Sequence, residues 1–111
     1  MVPLAKPARP GTPVRGSQTG RPIMALLDLL GRRWALRVLW ELREPVASFR
    51  DLQARCDGMS SSVLSQRLGD LRAAGVVEPD RLELTGEGRK LLDGLGPLDG
   101  WAKRWARRSL S

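Results

Sequence analysis

The sequence predicts a mainly α-helical domain that carries one small β-hairpin. Three observations predict it. Apolar residues recur at i, i+3, i+4, i+7 in successive segments from Pro22 onward. Ser48, Ser60 and Thr85 stand where they can cap three of those segments. Only Val76-Val77-Glu78 and Arg81-Leu82-Glu83-Leu84 read as short strands, on either side of Pro79-Asp80.

Each element has its own reason. Ile23, Leu26, Leu27 and Leu30 form the stripe of a first helix, with Pro22 suited to its opening turn and Gly31 to its stop. Ala35, Val38, Leu39 and Leu42 repeat the spacing in a second helix, ended by Pro45. Trp34, Leu36 and Trp40 make that helix apolar almost all round, which predicts the central and most buried position. Ser48 followed by Asp51 is a capping arrangement for a short third helix with Phe49 and Leu52 inward, broken at Asp57-Gly58. Ser60 caps a fourth helix with a stripe of Leu64, Leu68 and Leu71 and a stop at Gly75. Pro79 and Asp80 suit the centre of a type I turn. Thr85 caps a helix to about Asp93; Gly94, Gly96 and Pro97 interrupt it, and a last amphipathic helix covers about 98–109.

Residues 1–21 stand apart as a Pro- and Gly-rich basic tail whose composition predicts disorder, ahead of a domain over 22–111. Of the net charge of +7, four charges lie in the tail as Lys6, Arg9, Arg15 and Arg21, which leaves three on the domain. A basic balance favours a polyanionic partner. The chain has no His, and Cys56 is its single cysteine, which excludes imidazole catalysis, an intrachain disulfide and a Cys/His zinc site. No catalytic constellation stands in their place, so the expectation is a protein that is not an enzyme and carries no cofactor or metal. No apolar run approaches the roughly 20 residues that span a bilayer, which predicts a cytoplasmic protein with no membrane partner.

The third and fourth helices, joined across Asp57, Gly58 and Met59, match a helix-turn-helix in spacing. With the leucines of the fourth helix inward, Ser62, Gln66, Gly69 and Ala73 lie opposite, flanked by Ser65 and Arg67, with Ser60 and Ser61 in the first turn. Small side chains permit close approach to the floor of a DNA major groove, and serine and glutamine bond base edges. Gln66 suits an adenine, which it meets with both its amide oxygen and nitrogen. The same face is also compatible with an ordinary solvated helix. Arg32, Arg33 and Arg50 at neighbouring helix starts and Arg81 at the hairpin tip are candidate backbone contacts, or surface charges only. Leu98, Trp101 and Trp105 share a stripe opposite Lys103, Arg104, Arg107 and Arg108. Such a basic amphipathic helix can lie on a membrane or pack on the domain core, but two tryptophans exceed what that core needs and favour a dimer seam. Cys56 reads as a buried small hydrophobe or as a redox thiol.

In combination these residues resemble the HxlR-type winged-helix transcriptional regulators of bacteria. The resemblance runs from about Arg21 to Ala106. It is carried by Pro22-Ile23 with Leu27-Asp28-Leu29-Leu30-Gly31-Arg32-Arg33-Trp34, then Phe49 and Leu52, and Gly58-Met59-Ser60. Val63-Leu64-Ser65-Gln66-Arg67-Leu68, Gly75-Val76-Val77-Glu78, Leu84-Thr85 with Gly88 and Leu91, and Trp101-Ala102 complete it. The resemblance implies a winged helix-turn-helix with extra N- and C-terminal helices for dimerisation, and a homodimer that sets the 60–74 helix into double-stranded DNA. It gives Gln66 the role of base reader and Arg67 that of a phosphate or helix-anchoring contact. The family's cysteine before the Pro-Ile pair is here Arg21, and the wing is trimmed to Glu78-Pro79-Asp80-Arg81.

The expectation is therefore a homodimeric repressor of a pseudo-palindromic operator. Ser60, Ser61, Ser62, Ser65, Gln66 and Arg67 would read DNA, Arg32, Arg33, Arg50 and Arg81 would hold its backbone, and Ile23, Leu27, Leu98, Trp101 and Trp105 would form the seam. A small-molecule effector stays open as a further partner, since no residue names its chemistry. A protein-binding adaptor and a non-specific architectural DNA binder are the alternatives.

Overall fold

A computed structural model describes residues 21–110. The tail expected over 1–21 lies outside the described residues, apart from Arg21. Five helices follow one another: α1 (Pro22–Leu30), α2 (Ala35–Glu41), α3 (Phe49–Arg55), α4 (Ser61–Ala73) and α5 (Gly86–Leu110). Among the described residues no helix is long and apolar enough to cross a membrane.

α2 is central, as its composition predicts, and packs against α1, α3 and α4. Val38 and Leu39 of α2, Leu52 of α3, and Leu64 and Leu71 of α4 are all closed to solvent. Each leucine so buried contributes roughly 1.5–3 kcal/mol relative to leaving it in water. The expectation of an all-round buried α2 holds on one side only, because Leu36 remains 46% exposed. In α1 the buried pair is Ala25 and Leu29, whereas Ile23 and Leu27 face outward at 52% and 54% exposure. Trp34, the residue before α2, adopts left-handed backbone at φ 75°, a strained choice for a bulky residue. That residue turns the chain from α1 into the core.

The caps follow the sequence closely. Ser48 Oγ accepts from the Asp51 N–H at 3.0 Å, while Asp51 Oδ2 accepts from the Ala47 N–H at 2.9 Å. Ser60 Oγ accepts from the Val63 N–H at 3.2 Å, and Thr85 Oγ1 from the Gly88 N–H at 2.9 Å. These bonds satisfy amides that the first helical turn leaves unpaired.

Two expectations need correction. The small β-hairpin reduces to a single antiparallel bridge between Val77 and Leu84. The Glu78 N–H donates to Glu83 and the Thr85 N–H to Val76, each at 2.9 Å. A longer ladder would also use the Val76 N–H and the Glu78 carbonyl. The first donates instead to Leu71 at 2.9 Å, and the second accepts from Arg72 Nε at 2.8 Å. The would-be strand is tied to the end of α4 rather than to its neighbour.

The second correction concerns Gly94, Gly96 and Pro97, which do not break the chain into two helices; α5 runs through them. Pro97 removes one helical donor, but Leu91, Leu95, Leu98, Trp101 and Trp105 keep one helical phase across it. Leu91, Leu92 and Leu95 pack against the core and hold the first half in place.

Candidate nucleic-acid interface

α3 and α4 are joined by a tight turn in which Asp57 (φ 58°) and Gly58 (φ 69°) both take left-handed backbone. Gly58 does so without steric cost. Gln53 Nε2 donates to the Met59 carbonyl at 2.8 Å and fixes the turn from α3. From α2, Arg37 Nη2 donates to the Arg55 carbonyl at 2.7 Å, and its Nη1 reaches Asp57 at 3.0 Å. The bond from Arg37 Nε to Glu41 at 2.9 Å completes this clamp and is the main cause raising its already high pKa. Met59, 6% exposed, inserts beneath the turn.

The clamp presents α4 with its leucines inward and Ser61, Ser62, Ser65, Gln66 and Gly69 in solvent. Ser60, also exposed, has its hydroxyl engaged as the cap and 3.4 Å from that of Ser62. Ser61, Ser65 and Gln66 thus share an open face with no large apolar side chain on it. Arg67 does not flank that face. It turns inward, only 9% exposed, and pairs with Asp70.

The four candidate backbone arginines divide in two. Arg33 is exposed with its guanidinium 5.7 Å from the Trp34 ring centroid. Arg50, at the start of α3, is exposed and has no ion-pair partner among the described residues. Arg32, in contrast, lies 3.3 Å from Asp70 and 3.5 Å from Asp28. Arg81 sits among Glu83 at 3.2 Å, Glu78 at 3.5 Å and Asp80 at 3.8 Å. Its bond to Glu83 and the charges of Glu78 and Asp80 raise its pKa, and the same carboxylates offset its field toward a phosphate.

Burial pushes the Cys56 thiol up in pKa, and the side chain is closed to solvent. Of its two readings the structure selects the small core hydrophobe, since a reactive cysteine needs access and a lowered pKa. The residues expected at the seam are all open: Leu98 at 58%, Trp101 at 49% and Trp105 at 55% exposure join Ile23 and Leu27. Trp101 and Trp105 stack on each other with ring centroids 5.7 Å apart. Leu98 also borders a cleft of about 230 Å³ lined by Leu36, Trp40, Leu92, Leu95 and Asp99.

Sequence reasoning missed the two clamps. Arg37 and Arg72 hold backbone carbonyls across 18 and 6 residues, contacts that leave no periodic trace. The Arg67–Asp70 pair did leave one, the i, i+3 spacing of opposite charges on a helix.

Two capped helices across a short turn, the second with a polar outer face, define a helix-turn-helix module. The chain belongs to the HxlR-like helix-turn-helix family, whose family model matches residues 29–110. It is 33% identical to the uncharacterized HTH-type transcriptional regulator YvaP of Bacillus subtilis, over 71% of this chain and 82% of the relative. It is 25% identical to a second such protein, MJ0925 of Methanocaldococcus jannaschii, over 74% of this chain and 83% of that one. No solved structure matches it. Membership makes it a protein of the DNA-binding transcriptional-regulator class.

Proposed function

We propose that the protein is a homodimeric repressor that sets α4 into the major groove of a pseudo-palindromic operator. The observation that carries this reading is the outer face of α4: Ser61, Ser62, Ser65 and Gln66 stand exposed on a helix whose opposite side is closed into the core. A reader so backed holds its rotation against the groove while its side chains meet base edges. Arg33 and Arg50 supply phosphate contacts beside it. Arg32 and Arg81, already paired with carboxylates, contribute less, and the short bridge at Val77 and Leu84 leaves little wing to enter a minor groove.

Dimerisation uses Ile23, Leu27, Leu98, Trp101 and Trp105. A run of half-exposed large apolar side chains on the first and last helices is the kind of surface that soluble chains cover with a partner. Two-fold symmetry then sets two copies of α4 at half-sites about 34 Å apart, or a multiple of it.

The test is selection of genomic fragments by the purified full-length protein at near-physiological salt, with sequencing of what is retained. A two-fold symmetric motif is expected. Retention without a motif would make the protein an architectural binder, and no salt-sensitive retention at all would make it an adaptor. Within the motif, Gln66→Ala is expected to weaken discrimination at one base pair per half-site by roughly 1–3 kcal/mol.

A further inference from the structure

Arg67 is the single charged side chain buried among the described residues. Its Nε is also the single buried side-chain polar atom there without a hydrogen-bond partner. Leaving such a donor unmet is unfavourable, and each instance in a folded protein calls for a reason. The reason lies in where the other two nitrogens go. Nη1 donates to Asp70, which also forms an ion pair with Arg32 Nη1 at 3.3 Å, from the turn after α1. Nη2 reaches Gln66 Oε1 at 3.5 Å. Gln66 is exposed on the outer face of α4, so this chain of contacts leads from the half-buried Asp70 to the surface that faces outward.

A guanidinium has donors only. An amide beside it must turn its oxygen inward, and its NH2 group is then directed away. We propose that Arg67 is a positioning residue that fixes the amide of Gln66, so that Gln66 offers DNA a donor and reads a base acceptor in the major groove. This inference rests on the reading that α4 enters that groove. The adenine contact expected from the sequence needs the oxygen and the nitrogen of the amide side by side. With Arg67 holding the oxygen inward, the NH2 group leads the contact, and the oxygen's second lone pair can still serve an adenine amino group. Guanine presents O6 and N7, adenine N7 and thymine O4, all acceptors, while cytosine presents only a donor and is rejected. The base that meets Gln66 is therefore one that offers an acceptor, and cytosine is excluded.

The experiment is selection from a random duplex library by the full-length protein and three variants. Gln66→Ala locates the base pair that Gln66 reads. At that position the wild type is expected to disfavour cytosine by roughly tenfold against the other bases. The Arg67→Lys variant keeps a cation beside Asp70 but has no second nitrogen to reach Gln66. It is expected to admit cytosine at that position alone, because the released amide can turn its oxygen outward, with the rest of the motif retained. A purely structural role would weaken every position and leave the order of bases unchanged.

Should Arg67→Lys fail to fold, Gln66→Glu tests the same point from the exposed side. An acceptor-only side chain there is expected to convert the preference to cytosine. Wild-type enrichment of cytosine, or an unaltered motif in folded Arg67→Lys, would overturn the inference while leaving the groove reading in place. Absence of any motif for the wild type would remove both.

Discussion

α4 and the second half of α5 are both amphipathic helices drawn by the same rule, a large apolar residue every three or four positions. In α4, Leu64, Leu68 and Leu71 end at 0%, 2% and 0% exposure; in α5, Leu98, Trp101 and Trp105 end at 58%, 49% and 55%. The difference is what lies opposite. α4 faces α2 within the same chain, whereas α5 beyond Leu95 adds no side chain to the core that its first half packs on. A period in sequence tells which side of a helix is apolar and nothing about whether the covering surface belongs to the same molecule.

The largest expected effect lies on the covered side. Leu68→Ala should destabilise folding by about 2–5 kcal/mol, because it removes a core side chain and leaves a cavity. Urea denaturation measures it, and a neutral result would mean that α4 is as loosely held as the end of α5. Next comes the open side. Trp101→Ala with Trp105→Ala should leave the protomer's stability nearly unchanged and weaken self-association by about 2 kcal/mol or more, as truncation of aromatic anchors does. Sedimentation at low concentration reads it, and an intact dimer would show that both rings belong to a core.

Two glycines sharpen the contrast within α5 itself. A Cβ on Gly88 would collide with the Val76 carbonyl, while one on Gly96 meets nothing within 4 Å. Gly88→Ala should therefore cost about 1–3 kcal/mol by overpacking. Gly96→Ala should stabilise by up to about 1 kcal/mol through helix propensity. Thermal melts of the pair test where the docked part of α5 ends; equal effects would erase the boundary.

Much of this was legible in the residues. Ser48, Ser60 and Thr85 each cap the helix that they precede, and Leu64, Leu68 and Leu71 are the buried stripe of α4, because caps and stripes are local patterns. The hairpin was not legible. Its strands carry suitable residues, yet the groups that would extend the ladder are tied to α4 by Leu71 and Arg72, partners remote in sequence. The sequence predicts a break in α5 because Gly94, Gly96 and Pro97 are local signals of a stop. The apolar phase shared by Leu95 and Leu98 on either side of Pro97 outweighs them. At the candidate site, the outer face of α4 follows from the position of its leucines. The inward turn of Arg67 does not, since a helical wheel gives direction at Cβ and a long side chain bends toward its partner, here Asp70.

The smallest expected effects separate arginines that composition alone treats alike. Arg50 is exposed without an ion-pair partner among the described residues, whereas Arg81 is surrounded by Glu78, Asp80 and Glu83. A cation that contacts phosphate releases counterions on binding; one whose charge is already offset by carboxylates releases few. Arg50→Ala should therefore weaken binding evenly across sequences and reduce the slope of log affinity against log salt by about 1. Arg81→Ala should leave both nearly unchanged. Fluorescence titrations at several salt concentrations distinguish them. A loss for Arg81→Ala equal to that for Arg50→Ala would mean that DNA draws Arg81 away from its carboxylates, and that the short turn between Val77 and Leu84 acts as a wing after all.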